Sequence, residues 1–161
     1  MDEKNQEQIL REIYNFSKET KAFLNMNLLG SGDKIFIDEI SKASESSTPK
    51  GYPKEISVRK INSILSKAKK SKVNNKTLQQ MELIAFEGYM TFLNDYGGGP
   101  EIYEDKIGDH LKNYLLLVLK NEPYNKHTYI FDEMRGYLRA NQNMLYDNIW
   151  HIFENLTGEE V

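Results

Sequence analysis

The sequence has no cysteine among its 161 residues. This absence excludes disulfide bonds, zinc sites built from thiolates, iron–sulfur clusters and cysteine nucleophiles. A chain without thiols also suits a reducing compartment, and we expect a cytoplasmic location.

Long apolar segments are also missing. The longest apolar run extends from Tyr114 to Leu119, whereas a membrane-spanning helix needs about 20 apolar residues. The first ten residues, MDEKNQEQIL, do not combine a basic region with a following apolar region, so we expect no signal peptide. The sequence therefore predicts no membrane partner.

The chain lacks an excess of positive charge, since its net charge is -3 with 28% charged residues. Proteins that coat nucleic acids usually carry a strong positive balance. The chain also lacks segments that alternate apolar and polar residues with a period of two, which is the pattern of half-buried strands. It shows no repeat of 20 to 50 residues, which argues against a solenoid.

Apolar residues instead recur at helical spacing along most of the chain. With 39% hydrophobic residues, a chain of this length can bury a single core. We predict one all-α domain over residues 1–161, built from about seven or eight antiparallel helices. A loop is expected at residues 44–55, where Ser, Thr, Gly and two prolines disfavour helix.

The strongest helical pattern predicts a central hairpin of residues 77–96 and 100–121. Between the two helices stand three glycines and Pro100. Gly97 is expected to end the first helix in the left-handed conformation, and Pro100 to occupy the first turn of the second. Acidic residues surround the glycines, which disfavours a phosphate-binding loop.

The other helices are predicted from the same spacing together with capping residues. Ser17 and Ser57 are expected to cap the helices that follow them, and Asp33 to cap a third. The second helix is expected to continue to Leu29. We interpret residues 127–156 as two helices with a break near residues 140–143.

Glu87 is the residue whose position most needs explanation. Leu83 and Met90 flank it on the face opposite the main apolar stripe, so the helix is expected to be apolar on both sides and to lie inside the fold. A carboxylate there needs a partner. We predict that Glu87 is more than half buried and bound to Arg59 or to tyrosine hydroxyls, and that Gly88 lets a neighbouring helix approach closely.

A local basic block at residues 66–76 is a second candidate site. Its lysines Lys67, Lys69, Lys70 and Lys72 crowd the end of a predicted helix, where they favour the helix dipole. They could also contact a phosphate or an acidic partner. A weak nucleic-acid contact is the third alternative for these lysines, although no aromatic residues are interleaved for base stacking.

No motif of an assembled active site is present. His110, His127 and His151 lie on separate segments without metal-ligand spacing, and no G-x-S-x-G motif occurs. Asp147 and His151 are one helical turn apart, a spacing that is typical of a local surface contact. We assign no catalytic, cofactor-binding or metal-ligating residue.

Several segments resemble a family of small uncharacterised bacterial proteins, a domain of unknown function. The similar stretches are ILREIYNFSKETKAFL, SVRKINSILSKAKK, FEGYMTFLNDYG followed by IYEDKI, and MLYDNIWHIFENL. Members of that family often carry a histidine where Tyr146 precedes Asp147. The resemblance implies a cytoplasmic all-helical domain and supplies no biochemical function.

Three functional hypotheses follow. The first is a helical binding or scaffold module for a protein partner or a second copy, with a contact patch that includes some of Tyr103, Tyr124, Tyr129, Tyr137 and Tyr146. The second is a small-ligand or metal-dependent enzyme that uses carboxylates around Glu87, Asp95 and Asp147. The third is the weak nucleic-acid contact through residues 66–76.

Overall fold

The computed structural model describes residues 3–24, 33–141 and 147–158. Within these residues the backbone forms α-helices and no β-strand, apart from one isolated antiparallel bridge between Ser47 and Pro53. The predicted all-α fold class is therefore confirmed. The helices are α1 (Glu3–Phe16), α2 (Lys18–Leu24), α3 (Asp33–Ala43), α4 (Val58–Lys70), α5 (Asn75–Tyr96), α6 (Ile102–Asn121), α7 (Tyr124–Ala140) and α8 (Asp147–Thr157).

None of the helices in the three described ranges combines the length and the apolar content that crossing a bilayer requires.

Local capping explains where several helices begin and end. The side chains of Ser17 and Ser57 accept hydrogen bonds from the backbone N–H groups of Thr20 and Lys60, at 3.0 and 3.3 Å. These two predicted caps are confirmed, whereas Asp33, the third predicted cap, lies inside the first turn of α3. Gly97 ends α5 with φ of 67° and ψ of 21°, the left-handed conformation that glycine adopts without steric cost.

The start of α6 differs from the prediction. Pro100 lies just before α6 and not in its first turn. Its carbonyl accepts the N–H of Tyr103 at 2.8 Å in a turn that leads into Ile102. The expected continuation of the second helix to Leu29 falls outside the described residues. At the other end of the chain, α7 and α8 are two separate helices, as predicted.

Helices α5 and α6 make the most extensive contact between any two described helices. Most of the surface of α5 is covered, and its large side chains Phe86, Tyr89 and Met90 are fully buried. Burying one such side chain stabilises the fold by about 1.5–3 kcal/mol. The exposed part of α5 is a narrow strip that includes Gln80, Glu87, Thr91 and Asn94.

The segment between α3 and α4 is non-helical, as the prediction of a loop at residues 44–55 requires. Its last part is fixed by Tyr103 of α6. The Tyr103 hydroxyl accepts the N–H of Ile56 at 2.7 Å and donates to the carbonyl of Ile56 at 3.0 Å. Because Tyr103 and Ile56 are each 1% exposed, this two-way bond satisfies backbone groups that water cannot reach.

The start of this segment packs directly on α5 at Gly88. A Cβ atom placed on Gly88 would lie 2.6 Å from Cβ and 2.7 Å from the carbonyl oxygen of Ser44. A close approach at Gly88 is therefore present as predicted, but the neighbour is Ser44, just after α3, and not a helix as expected.

We predict that Gly88→Ala lowers the free energy of unfolding by about 1–3 kcal/mol, because the added methyl group meets backbone that cannot move cheaply. Chemical denaturation followed by circular dichroism measures the change. Gly136→Ala in α7 is the matched control, since a Cβ there has no neighbour within 4 Å. The control should be neutral or stabilising by up to about 1 kcal/mol, and equal behaviour of the two variants would contradict the packing described.

Candidate functional site

The buried acid of α5 is Glu82, and its partner is His110 of α6. Glu82 is 1% exposed and His110 is 3% exposed. The ring nitrogen Nδ1 of His110 lies 2.6 Å from Glu82 Oε2. In the Nδ1–H tautomer of His110, this contact is a hydrogen bond that His110 donates to the Glu82 carboxylate.

Both residues occupy apolar stripes of their helices. Glu82 follows Leu78 by four residues and precedes Ala85 by three, and His110 lies between Ile107 and Tyr114 at the same spacing. A polar residue at such a position faces the neighbouring helix. This spacing is the signal from which the pair could have been found in the sequence.

Tyr89 covers one face of the His110 ring. The two rings are nearly parallel, at an angle of 14°, with centroids 5.8 Å apart. The centroids of the Tyr89 and Tyr103 rings lie 4.8 Å apart. Tyr103 in turn binds the backbone of Ile56. Burial raises the pKa of the Tyr89 hydroxyl above its usual value, with a smaller contribution from Tyr103, so Tyr89 stays uncharged.

His110 keeps one unused polar atom. Its second ring nitrogen, Nε2, is buried and has no hydrogen-bond partner, and the same holds for the Tyr89 hydroxyl. Buried polar atoms are almost always bonded. An exception beside a cavity therefore marks a place where a ligand could supply the missing partner.

A cavity of about 530 Å³ lies against the pair, between α4, α5 and α6. We call its three buried lining residues, Leu65, Glu82 and His110, the floor. We call its four lysines the rim: Lys69 and Lys70 from the end of α4, and Lys106 and Lys112 from α6.

The rim carries more positive charge than the acidic residues of the cavity neutralise. Lys106 pairs with Asp109 at 2.5 Å, and Lys69 Nζ lies 3.8 Å from Glu82 Oε1. Lys70 and Lys112 have no ion-pair partner in the described part of the chain. Four lysines thus face two carboxylates, Glu82 and Asp109, which makes the cavity attractive to anions.

The lysine block predicted from the sequence is divided by the fold. Lys69 and Lys70 reach the rim, whereas Lys67 lines a different groove, between α3 and α4. Lys72 is exposed in the following turn, with φ of 56°. The structure adds Lys106 and Lys112, which are distant in sequence and could not be grouped with the block from spacing alone.

The predicted pair of Glu87 and Arg59 is wrong. Glu87 is exposed, and the structure shows neither a hydrogen bond nor an ion pair between these two described residues. Arg59 is also exposed and lines the groove between α3 and α4, whereas Glu87 lines a small cleft beside Ser44 and Gly88. One narrow strip of α5 is exposed to solvent, and Glu87 lies on this strip.

Neighbouring protein atoms still withdraw water from Glu87, and this desolvation raises the pKa of its carboxyl group above the usual value. Its charge acts in turn on Tyr137. Burial, and to a lesser extent the Glu87 charge, raises the pKa of Tyr137 to about 12.

The other predicted acids do not join Glu87 in one site. Asp95 accepts a hydrogen bond of 3.5 Å from Ser46, and the side chain of Asp147 lies outside the described residues. His151, which was considered together with Asp147, has its Nδ1 atom 3.6 Å from Oε2 of Glu154. In residues 3–24, 33–141 and 147–158, no group of three or more acidic or histidine side chains could hold a metal ion.

The proposed tyrosine patch is also divided. Tyr103 is buried and Tyr137 is half-buried, which excludes Tyr103 from any surface. Tyr124 and Tyr129 are exposed on α7, and Tyr146 lies outside the described residues.

The groove between α3 and α4 is larger, at about 760 Å³, but its chemistry is less specific. Bases and acids line it, as they line the α4–α5–α6 cavity, but none of its polar lining residues is buried. The floor of the α4–α5–α6 cavity therefore distinguishes it as the candidate site.

Comparison with protein-family models, with curated proteins and with solved structures gives no match. The resemblance to uncharacterised bacterial helical proteins stays a prediction.

We predict that Glu82→Leu lowers the free energy of unfolding by about 3 kcal/mol, because it leaves His110 buried without a partner. His110→Leu should cost a similar amount. The double variant should lose less than the sum of the two single losses, since no polar group is then left unpaired. Urea denaturation of the four proteins measures the coupling, and strictly additive losses would show that the two side chains do not interact.

Proposed function

We propose that this protein is a binding module that takes an anionic ligand into the α4–α5–α6 cavity. The observation that carries the proposal is the rim, in which Lys70 and Lys112 have no ion-pair partner among the described residues while they face the same cavity as Lys69 and Lys106. Uncompensated lysines that converge from two helices favour phosphate, sulfate or carboxylate groups.

The size of the cavity supports a small molecule as the ligand. Its volume of about 530 Å³ falls within the range of about 300–1,000 Å³ that is typical of small-molecule sites. An isolated inorganic anion would fill only a part of this space. The expected ligand therefore combines an anionic group with a larger organic part.

We predict that a variant with Lys70→Gln and Lys112→Gln binds anions about tenfold more weakly than the parent protein, because it loses both unpaired charges of the rim. Titration of ¹⁵N-labelled protein with phosphate, sulfate or citrate at constant ionic strength measures the affinity through shifts of the backbone amide signals.

The matched control replaces Lys50 and Lys120, which are exposed and do not line the cavity. The double substitution Lys50→Gln, Lys120→Gln makes the same change in net charge and should bind as the parent does. Binding that falls equally in both variants would show a non-specific charge effect. Absence of binding for all three anions would contradict the proposed function.

A second candidate function is binding of a protein partner through α1, and one observation favours it. Ile9, Leu10, Ile13 and Phe16 of α1 are all exposed, and Phe16 is 86% exposed. Among the described helices, only α2 makes an extended contact with α1. An apolar helix face of this kind is typical of an interaction surface.

The charges of α1 favour a protein over a lipid surface as its partner. Amphipathic helices that lie on membranes carry Lys and Arg on their polar face. The charged residues of α1 are Glu3, Lys4, Glu7, Arg11 and Glu12, so acids outnumber bases. We expect a protein that offers an apolar groove, in the cytoplasmic location predicted from the sequence.

We predict that Leu10→Asp with Phe16→Asp abolishes capture of such a protein from the host lysate, because charge is placed on the apolar face. Tyr124→Asp, at an equally exposed aromatic residue of α7, is the control and should retain capture. Quantitative mass spectrometry compares the three samples. A protein that the parent and both variants capture equally would count against the α1 surface, and so would concentration-dependent self-association that only the α1 variant loses.

A further inference from the structure

We infer that the cavity selects a phosphate monoester, whose phosphate group can carry a proton, over sulfate esters and phosphate diesters, which cannot. This inference rests on the proposed anion-binding function and names the ligand class. The carboxylate of Glu82, on the floor of a cavity whose rim is basic, is the feature that makes the distinction.

Glu82 would not be expected in a site that recognises anions by charge alone. A carboxylate repels an oxyanion that approaches it. Yet Glu82 lines the same cavity as the four rim lysines, and it is held in place by the 2.6 Å bond from His110 to Oε2. Its position is therefore fixed, and a ligand must adapt to it.

The second carboxylate oxygen of Glu82 keeps capacity to accept a hydrogen bond. Lys69 Nζ lies 3.8 Å from Oε1, which is close enough for an ion pair but too far for a hydrogen bond. An oxygen atom that bears a proton can donate to Oε1, whereas a bare oxyanion in the same place is repelled. The floor thus requires a donor, while the rim requires negative charge.

Phosphate monoesters meet both requirements. Their second pKa is about 6, so a fraction of the molecules carries a proton on the phosphate near neutral pH, and the remaining oxygens are negative. Sulfate and sulfate esters carry no proton at this pH. Phosphate diesters, including the nucleic-acid backbone, are also fully ionised, so the inference separates this site from the predicted nucleic-acid contact.

The different burial of the floor and of the rim sets the orientation of the bound ester. Lys70 and Lys112 are exposed and form no ion pair with the part of the chain that the structure describes, whereas Glu82 and His110 are buried. The protonated oxygen would therefore face inward, towards Glu82, and the charged oxygens outward, towards the lysines. The organic part of the ester then occupies the remainder of the cavity.

The test titrates the ¹⁵N-labelled full-length chain at pH 7 with two matched pairs of probes: inorganic phosphate against sulfate, and methyl phosphate against dimethyl phosphate. We expect phosphate to bind at least about tenfold more tightly than sulfate, and methyl phosphate more tightly than dimethyl phosphate by a similar factor. Glu82→Gln, in which the side-chain amide can also donate, should reduce both ratios to within about threefold.

The wild-type comparison decides the question even where Glu82→Gln proves too unstable to study. Equal binding of phosphate and sulfate, or a preference that Glu82→Gln leaves intact, would overturn the inference while the anion site stands. Failure of every anion to bind, or binding that is indifferent to the double substitution of Lys70 and Lys112, would instead overturn the proposed function and the inference with it.

Discussion

The hydrogen bond from His110 Nδ1 to Glu82 Oε2 is the interaction on which the rest of this structure depends. It joins α5 and α6, the two described helices with the most extensive mutual contact. Both side chains are almost completely buried, so each would be an isolated polar group without the other. A sliding of α5 along α6 by one turn would break the bond, and the pair therefore fixes one register out of several that apolar packing alone would allow.

Side-chain contacts extend from this pair in two directions. Inside the core, the His110 ring stacks on Tyr89, which contacts Tyr103, and Tyr103 holds both backbone groups of Ile56. The end of the α3–α4 segment is thus connected to the same side chains that join α5 to α6. Towards solvent, Glu82 Oε1 lies 3.8 Å from the Nζ of Lys69, one of the four lysines of the rim. A structural bond and a candidate ligand site consequently share the same two residues.

The features predictable from the sequence were those set by local interactions. Helix spacing, the Ser57 cap and the left-handed Gly97 each depend on a few neighbouring residues, and the structure agrees with them. The close approach at Gly88 was predictable because only glycine permits it. The failures concern contacts between distant segments. A helical wheel of α5 shows which residues share a face, but it cannot show that the face of Glu87 stays in solvent while Glu82 meets a histidine of another helix.

The rim illustrates the same limit. Two of its lysines belong to the basic block at the end of α4, and the other two come from α6. No spacing rule relates these helices, because their approach is decided by how α4, α5 and α6 pack around their buried apolar side chains. Tyr103 was among the candidates for a surface patch for a similar reason: its own stripe does not reveal that the end of the α3–α4 segment covers it.

The most direct test of this account is the ring spectrum of ¹⁵N-labelled histidine in the intact protein. The account predicts that His110 carries a proton on Nδ1, that this proton exchanges slowly with water because the pair is buried, and that its signal disappears in Glu82→Leu. His151, whose side chain is 72% exposed, provides the fast-exchanging reference within the same molecule. A His110 ring that is protonated only on Nε2, or that exchanges as rapidly as His151, would contradict the buried pair and the site built upon it.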